Sequence, residues 1–174
     1  MTSHSPCTHA QHCDHAFHPH DHRHCVKSAL NEAARICKER KGRLTKQRQR
    51  VLELVWRNHQ PVGAYAVLEQ MRAEGFNGAP PTVYRALDFL LEYGLIHRLE
   101  SLNAYTGCAH PGQEHTGQFL ICSQCHKVAE VDDPRVNQAI QASADSVGFQ
   151  AASQVIEILG LCPQCQTQHN EDAR

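Results

Sequence analysis

Two cysteine pairs, Cys122-x-x-Cys125 and Cys162-x-x-Cys165, carry the clearest chemistry in this sequence. Two intervening residues let both thiolates of a pair turn onto one metal ion, and two such pairs complete a tetrahedral four-sulfur zinc site. A closed site of this kind leaves no position for substrate, so its role is structural. A redox use of Cys-x-x-Cys needs only one pair and is the weaker reading. The long interval between the pairs implies a folded segment between them.

The rest of the chain must supply the function. Its 174 residues suit one or two small domains. With 41% hydrophobic and 6% aromatic residues, each core is small, so a metal staple or a dimer interface would add needed stability. Nine cysteines could suggest a secreted disulfide scaffold. The N-terminus, however, lacks an apolar leader, and no run is long enough to span a membrane. The expectation is reduced thiols in the cytoplasm. The closed cysteine site, and the lack of a defensible nucleophile–base pair, point away from an enzyme.

The net charge of −1 hides an asymmetry. Ten basic residues lie between Lys27 and Gln60, opposed only by Glu32, Glu39 and Glu53. From Ala109 onward three basic residues face eight acids. A basic front suggests contact with a polyanion; the plainer alternative is a solvated helix face.

Residues 1–26 hold eight of the fourteen histidines, with Cys7, Cys13 and Cys25, and almost no aliphatic content. Such a segment buries no core and reads as an unstructured, weakly metal-binding tail. A helix is expected over 27–41, with Ala29, Leu30, Ala33, Ala34, Ile36 and Cys37 as its apolar stripe. Thr45 reads as the N-cap of a second helix that ends by Pro61 and Gly63. A third runs through Tyr65, Val67, Leu68 and Met71 to Gly75. Pro81 opens a fourth, with helix formers from Thr82 to Tyr93 and a stop at Gly94. Two short strands follow, Leu95–Glu100 and Ala104–Cys108. Helices leading into a hairpin make a winged helix-turn-helix over residues 27–108, whose last helix enters the DNA major groove. Residues 109–117 suit a hinge. Residues 118–174 alternate as a small α+β unit: strands at Gln118–Ile121 and Lys127–Val131, a helix from Pro134 to Val147, and a strand at Ser153–Leu159 leading to the second cysteine pair. The expected fold class is therefore α+β, a winged helix followed by a zinc-ribbon domain.

Several stretches resemble the ferric uptake regulator family, and its zinc-uptake branch in particular. They are Arg43-Leu44-Thr45-Lys46-Gln47-Arg48, Pro80-Pro81-Thr82-Val83-Tyr84-Arg85-Ala86-Leu87-Asp88-Phe89-Leu90, Gly94 through Ser101, and Val155-Ile156-Glu157 through Gly160-Leu161-Cys162, with both cysteine pairs in place. The resemblance covers about residues 27–165 and leaves out the tail. It implies a homodimeric, metal-sensing transcriptional repressor whose zinc-loaded dimers bind palindromic operators upstream of zinc-uptake genes, with the second domain as the dimerisation domain. It also implies a regulatory zinc site made of His97, Cys108, His115 and Glu130, beside the structural zinc, giving two Zn2+ per subunit. The interval from Cys108 to His115 is about a residue shorter than the family pattern, so His110 rivals His115. His126, inside the ribbon knuckle, is expected to be exposed. The thiolate favours zinc over iron(II) or manganese(II). Iron-sensing relatives carry a His-Asp-His cluster where this chain has Cys108-Ala109-His110.

Arg85, near the start of the recognition helix, can reach guanine O6 and N7 bidentately. Tyr65 matches the family's other DNA-facing position. Tyr84 faces phosphate or packs the helix on the wing. Lys41, Lys46 and Arg48 are candidates for phosphate contacts, which position without specifying. Glu69 and Arg72 pair within their helix or between two dimers on one operator. Two other functions compete: an iron, manganese or peroxide sensor of the same family, and a metal buffer or chaperone acting through the His-rich tail.

Overall fold

Apolar residues at helical spacing build the first half of the chain. The computed structural model describes residues 16–17, 22–57, 60–76, 79–113 and 115–172. Helices α1 (His22–Glu39), α2 (Lys46–Val55), α3 (Ala64–Ala73) and α4 (Pro80–Glu92) precede the strands β1 (Ile96–Leu99) and β2 (Ala104–Gly107). Val51, Leu52, Leu54 and Val55 of α2, Val67, Leu68 and Met71 of α3, and Val83, Leu87 and Leu90 of α4 are buried. With Ala33, Ile36 and Cys37 of α1 they form one core, the amphipathic outcome that the sequence periodicity requires.

Local chemistry fixes the element ends. Thr45 Oγ1 accepts the Arg48 N–H at 3.3 Å and caps α2. Pro80 and Pro81 occupy the first turn of α4, where a backbone donor is not needed. Gly94 follows α4 at φ +64°, a conformation that favours glycine. β1 and β2 pair antiparallel, and Val62 joins them through two backbone bonds of 2.9 Å with Tyr105. The result is a winged helix-turn-helix.

The second half is a three-stranded sheet with helices. β3 (Gly117–Cys122) is central, antiparallel to β4 (Val128–Val131) and parallel to β5 (Val155–Gly160). The helix α5 (Pro134–Ser146) connects β4 to β5, its first turn capped by Asp133, which accepts the Arg135 N–H at 2.9 Å. A last helix, α6 (Pro163–Asp172), follows β5. Among the described residues β5 leaves one edge unpaired, and it exposes Val155, Ile158 and Leu159 by half or more. The two halves meet directly. Leu99 at the end of β1 is fully buried with Phe119, Ile121 and Val128 of the second sheet, and Gln60 Nε2 donates to the Cys125 carbonyl at 2.9 Å. Among the described residues no helix is long and apolar enough to cross a membrane.

The structure departs from the sequence expectations at several ends. α1 begins at His22, inside the expected tail, and Cys25 is only 4% exposed. Cys25 behaves as a small hydrophobe and extends the series Ala29, Ala33 back by one turn. Ala16 is buried and Phe17 packs on the cysteine cluster. The remainder of the expected tail, residues 1–15 and 18–21, lies outside the described residues. α2 stops at Val55, well before Pro61, because the chain must turn to bring Val62 to the hairpin. α4 starts at Pro80 rather than Pro81. α6 was not expected at all: its sequence, rich in glutamine, has no apolar repeat.

Candidate metal centres and nucleic-acid face

The sulfurs of Cys122, Cys125, Cys162 and Cys165 all lie within 4.8 Å of one another. Cys122 ends β3, Cys125 sits in the following turn, Cys162 follows β5 and Cys165 is in the first turn of α6. The Cys125 and Cys162 sulfurs are 3.8 Å apart. A tetrahedron with zinc–sulfur bonds of about 2.3 Å has edges of about 3.8 Å, so the spacing fits zinc. Burial opposes ionisation of Cys122, but the N–H groups of Cys125 and Cys162 point at its sulfur (3.5 and 3.4 Å) and bring its pKa down to about 6. Donors aimed at sulfur favour the thiolate that a metal needs. His126 is exposed and is not among the clustered donors.

A second group forms where the halves meet. His97 comes from β1, Cys108 from just past β2, His115 from the segment between the sheets, and Glu130 from β4. Their donor atoms also lie within 4.8 Å of one another. Glu130 Oε1 is 2.8 Å from the Nε2 of both His97 and His115, and those nitrogens are 3.2 Å apart. A tetrahedral site with bonds of about 2.0–2.1 Å needs edges of about 3.3 Å, close to these values. The neighbours hold the donors in place. His115 Nδ1 donates to the Gln113 carbonyl at 2.9 Å, which leaves Nε2 for a metal, and Glu130 Oε2 accepts the Ala109 N–H at 2.6 Å.

Electrostatics point the same way. Hydrogen bonds with Cys108 and Glu130 raise the His115 pKa to about 11. Burial works against charge on His97, yet its bonds with Cys108 and Glu130 win and raise it to about 9. Burial likewise opposes ionisation of Glu130, but His115 and His97 outweigh it and hold the carboxyl at about 2. The pocket is built to stabilise positive charge. His110 stands outside this group of donors: its ring centroid is 5.8 Å from that of His115, and its buried Nδ1 has no hydrogen-bond partner among the described residues. Of the two rival histidines, His115 is the one brought to the cluster. Behind it, Trp56 packs so closely on Gly107 that a Cβ there would come within 2.1 Å of the indole. Trp56, Cys25 and Cys108 line one small cavity.

The expected DNA-facing residues divide into two kinds. Tyr65 is 68% exposed at the start of α3, and Tyr84 and Arg85 are exposed near the start of α4. Tyr84 is half-exposed, which leaves its ring within reach of a ligand on that side. Lys41 and Lys46 are exposed and make no ion pair with any described residue. Arg48 differs: its guanidinium stacks 3.5 Å from the Phe89 ring centroid and donates to the Arg43 carbonyl at 2.7 Å, so it braces α2 against α4. The basic front is also partly self-neutralised, with Arg35 held by Glu32 and Glu39, and Arg50 by Glu53 and Glu74. Glu69 and Arg72 are both exposed on α3.

Residues 39–159 match the Ferric uptake regulator family. This chain belongs to that family. Among its relatives, the zinc uptake regulation protein of Escherichia coli (strain K12) is 41% identical over 141 residues, 80% of this chain and 82% of that protein. The peroxide operon regulator of Bacillus subtilis (strain 168) is 27% identical over 81% of this chain and 96% of its own length. A zinc uptake regulator solved in complex with zinc and DNA superimposes with a TM-score of 0.79 at 38% identity, covering 83% of this chain and 97% of that one. Holo XcZur superimposes with a TM-score of 0.74 at 43% identity over 80% and 98% of the two chains. As in this family generally, the chain is a winged helix joined to a small α+β unit.

Sequence reasoning assigned no task to Glu157, Trp56 or Phe17. Glu157 had a visible signal: it is an isolated acid in the apolar strand Val155-Ile156-Glu157-Ile158-Leu159. The contact of Phe17 with the cysteine cluster had none, because it depends on how the chain doubles back.

Proposed function

We propose that this protein is a zinc-responsive transcriptional repressor of zinc-uptake genes that binds palindromic operator DNA as a zinc-loaded homodimer. The observation that carries the reading is the second donor group. Its thiol, two imidazoles and carboxylate come from the wing, from the segment after it and from the second sheet. Zinc at that position would bond both halves at once. His97 and Cys108 flank the hairpin, Glu130 anchors the sheet, and His115 closes the group between them. Holding these four together holds α4 at one angle to the second sheet, and so to a partner subunit. DNA and zinc then strengthen each other's binding, because both prefer that angle.

The remaining assignments follow. Cys122, Cys125, Cys162 and Cys165 hold a structural zinc that ties β3 to the chain after β5. The unpaired edge of β5, with Val155, Ile158 and Leu159, is the surface for a second copy. Arg85 reads bases, Tyr65 and Tyr84 touch the duplex, and Lys41 and Lys46 meet phosphates. The thiol in the second group disfavours iron(II) and manganese(II). The deciding experiment is a DNA-shift titration of a zinc-importer promoter at buffered zinc, iron(II) and manganese(II). Activation by zinc alone is the expected result. Equal or better activation by iron(II) or manganese(II) would replace this reading with the iron-type one.

A further inference from the structure

One cross-strand row of the second sheet grips the wing at both ends. Phe119 of β3 stands opposite Glu130 of β4 and opposite Glu157 of β5. Residues paired in this way share a face of the sheet, and each of the three meets a different part of the hairpin. Glu130 bonds to the Ala109 N–H just past β2 and to His97. Phe119 is buried with Leu99, and its ring centroid lies 5.1 Å from that of His97. Glu157 reaches the β1–β2 turn, accepting the N–H of Glu100 at 2.7 Å, the N–H of Ser101 at 3.1 Å, and the Ser101 hydroxyl.

The second sheet does not need this carboxylate. Glu157 sits in an otherwise apolar strand, and all its hydrogen bonds among the described residues go to Glu100 and Ser101. Two successive backbone N–H groups and a hydroxyl converging on one carboxylate make a charge-assisted anchor.

We propose that Glu157 is a second, metal-independent anchor of the wing, a positioning residue that sets the zinc level at which the protein becomes competent for DNA. This rests on the zinc-responsive reading above. The donor group holds the base of the hairpin, and the Leu99–Phe119 packing and the Gln60–Cys125 bond add contacts between the halves, but none of these holds the β1–β2 turn, about which the winged-helix half keeps some freedom to swing. An anchor at the hairpin tip removes that freedom. Because it needs no metal, it keeps part of the population docked before zinc arrives. Apparent zinc affinity rises with that docked fraction. Glu157 touches neither the donor atoms nor the exposed start of α4, so its effect travels only through domain angle.

The test uses full-length protein, buffered zinc and a labelled duplex carrying a zinc-importer promoter. Glu157→Gln keeps the shape but removes the charge. The zinc concentration for half-maximal DNA binding should rise on the order of tenfold, while DNA affinity at saturating zinc returns to that of the unmodified protein. Amide hydrogen exchange at Glu100 and Ser101 should quicken. Ser101→Ala, which attacks the contact from the other half, should shift the midpoint the same way by less, and combined with Glu157→Gln should add less than its separate effect. An unchanged midpoint would overturn the proposal, as would weak DNA binding that persists at saturating zinc. Should the unmodified protein bind DNA without regard to zinc, the functional reading fails on its own. Amide exchange then still decides the anchor, since equal rates in both proteins would remove it.

Discussion

The Cys108 sulfur lies 3.5 Å from Nε2 of His115, so the segment joining the two sheets returns to the residue at which it starts. Replacing that sulfur is the most direct probe of the centre. Cys108→Ser nearly keeps the volume but puts a neutral hydroxyl, a poor zinc ligand, where a thiolate would be. Half-maximal DNA binding should need at least about tenfold more zinc, with the four-cysteine site still filled and the dimer intact. Zinc-buffered DNA titration, with metal analysis of the same samples, reads all three. A serine variant that acts at ordinary zinc levels would take Cys108 out of the sensing set.

Metal content separates the two centres. The purified protein, loaded and freed of loosely held metal, should carry two zinc ions per subunit. Mild chelation should remove the one at His97, Cys108, His115 and Glu130. The one at the four cysteines should stay, because its loss unfolds the sheet end. Plasma emission spectrometry before and after chelation should read two and then one; a single ion throughout is incompatible with two sites.

Acidity should compete with zinc. In the metal-free centre burial disfavours charge on His97, but bonds with Cys108 and Glu130 raise its pKa to about 9, and similar bonds raise His115 to about 11. Zinc must displace those protons, so apparent affinity should climb as pH rises from 6.5 towards 9. The metal-free fold should behave oppositely. Each raised imidazole stabilises it fully below the unfolded value of about 6.5, and that contribution is lost as pH rises through about 9 for His97 and about 11 for His115. Glu130 stabilises above its ordinary value of 4.5 and stops doing so as pH falls through about 2. Thermal unfolding of mildly chelated protein should therefore show a lower Tm at pH 9.5 than at pH 6, while zinc titrations at pH 6.5 and 8.5 show tighter binding at the higher pH. No pH dependence in either measurement would contradict the protonated centre.

Three basic residues of the winged-helix half should give different phenotypes. Arg85→Ala should weaken operator binding by about 1–3 kcal/mol and relax base preference in each half-site. Lys46→Ala should weaken all DNA alike and lower the salt slope by about one per subunit. Arg48→Ala should instead lower stability by about 1 kcal/mol, through the lost stack on Phe89. Parallel denaturation and DNA titration of the three variants distinguish reading, positioning and bracing. Equal loss of operator and random DNA in Arg85→Ala would remove base readout by this residue.

Much of this architecture was legible from local pattern. Thr45 and Gly94 mark helix ends, and Pro81 marks a helix start to within one residue, because capping and φ restrictions act within a few residues. The cysteine pairs declare a metal because two thiolates at that spacing turn onto one ion. The second donor group was legible only through family resemblance: His97, Cys108, His115 and Glu130 are far apart in the chain and individually ordinary. Contacts between the halves were not legible. Whether Glu157 meets a turn, or Phe17 a cysteine, is set by how two sheets dock, which no period of the sequence encodes. The stack of Arg48 on Phe89 is hidden for a related reason: a charge run does not reveal which guanidinium has an aromatic ring above it.

The close packing of Trp56 on Gly107, beside Cys108, has an optical corollary. Trp56 is the sole tryptophan of the chain. Its emission therefore arises from one place, the wall of a small cavity that Cys108 also lines. Indole fluorescence responds to nearby thiolates and protonated imidazoles, both of which would change character on metal loading. Under the proposed function, Trp56 emission should change as zinc fills the second donor group, readable in a cuvette without DNA, and stopped-flow emission would time the arrival and departure of the ion directly.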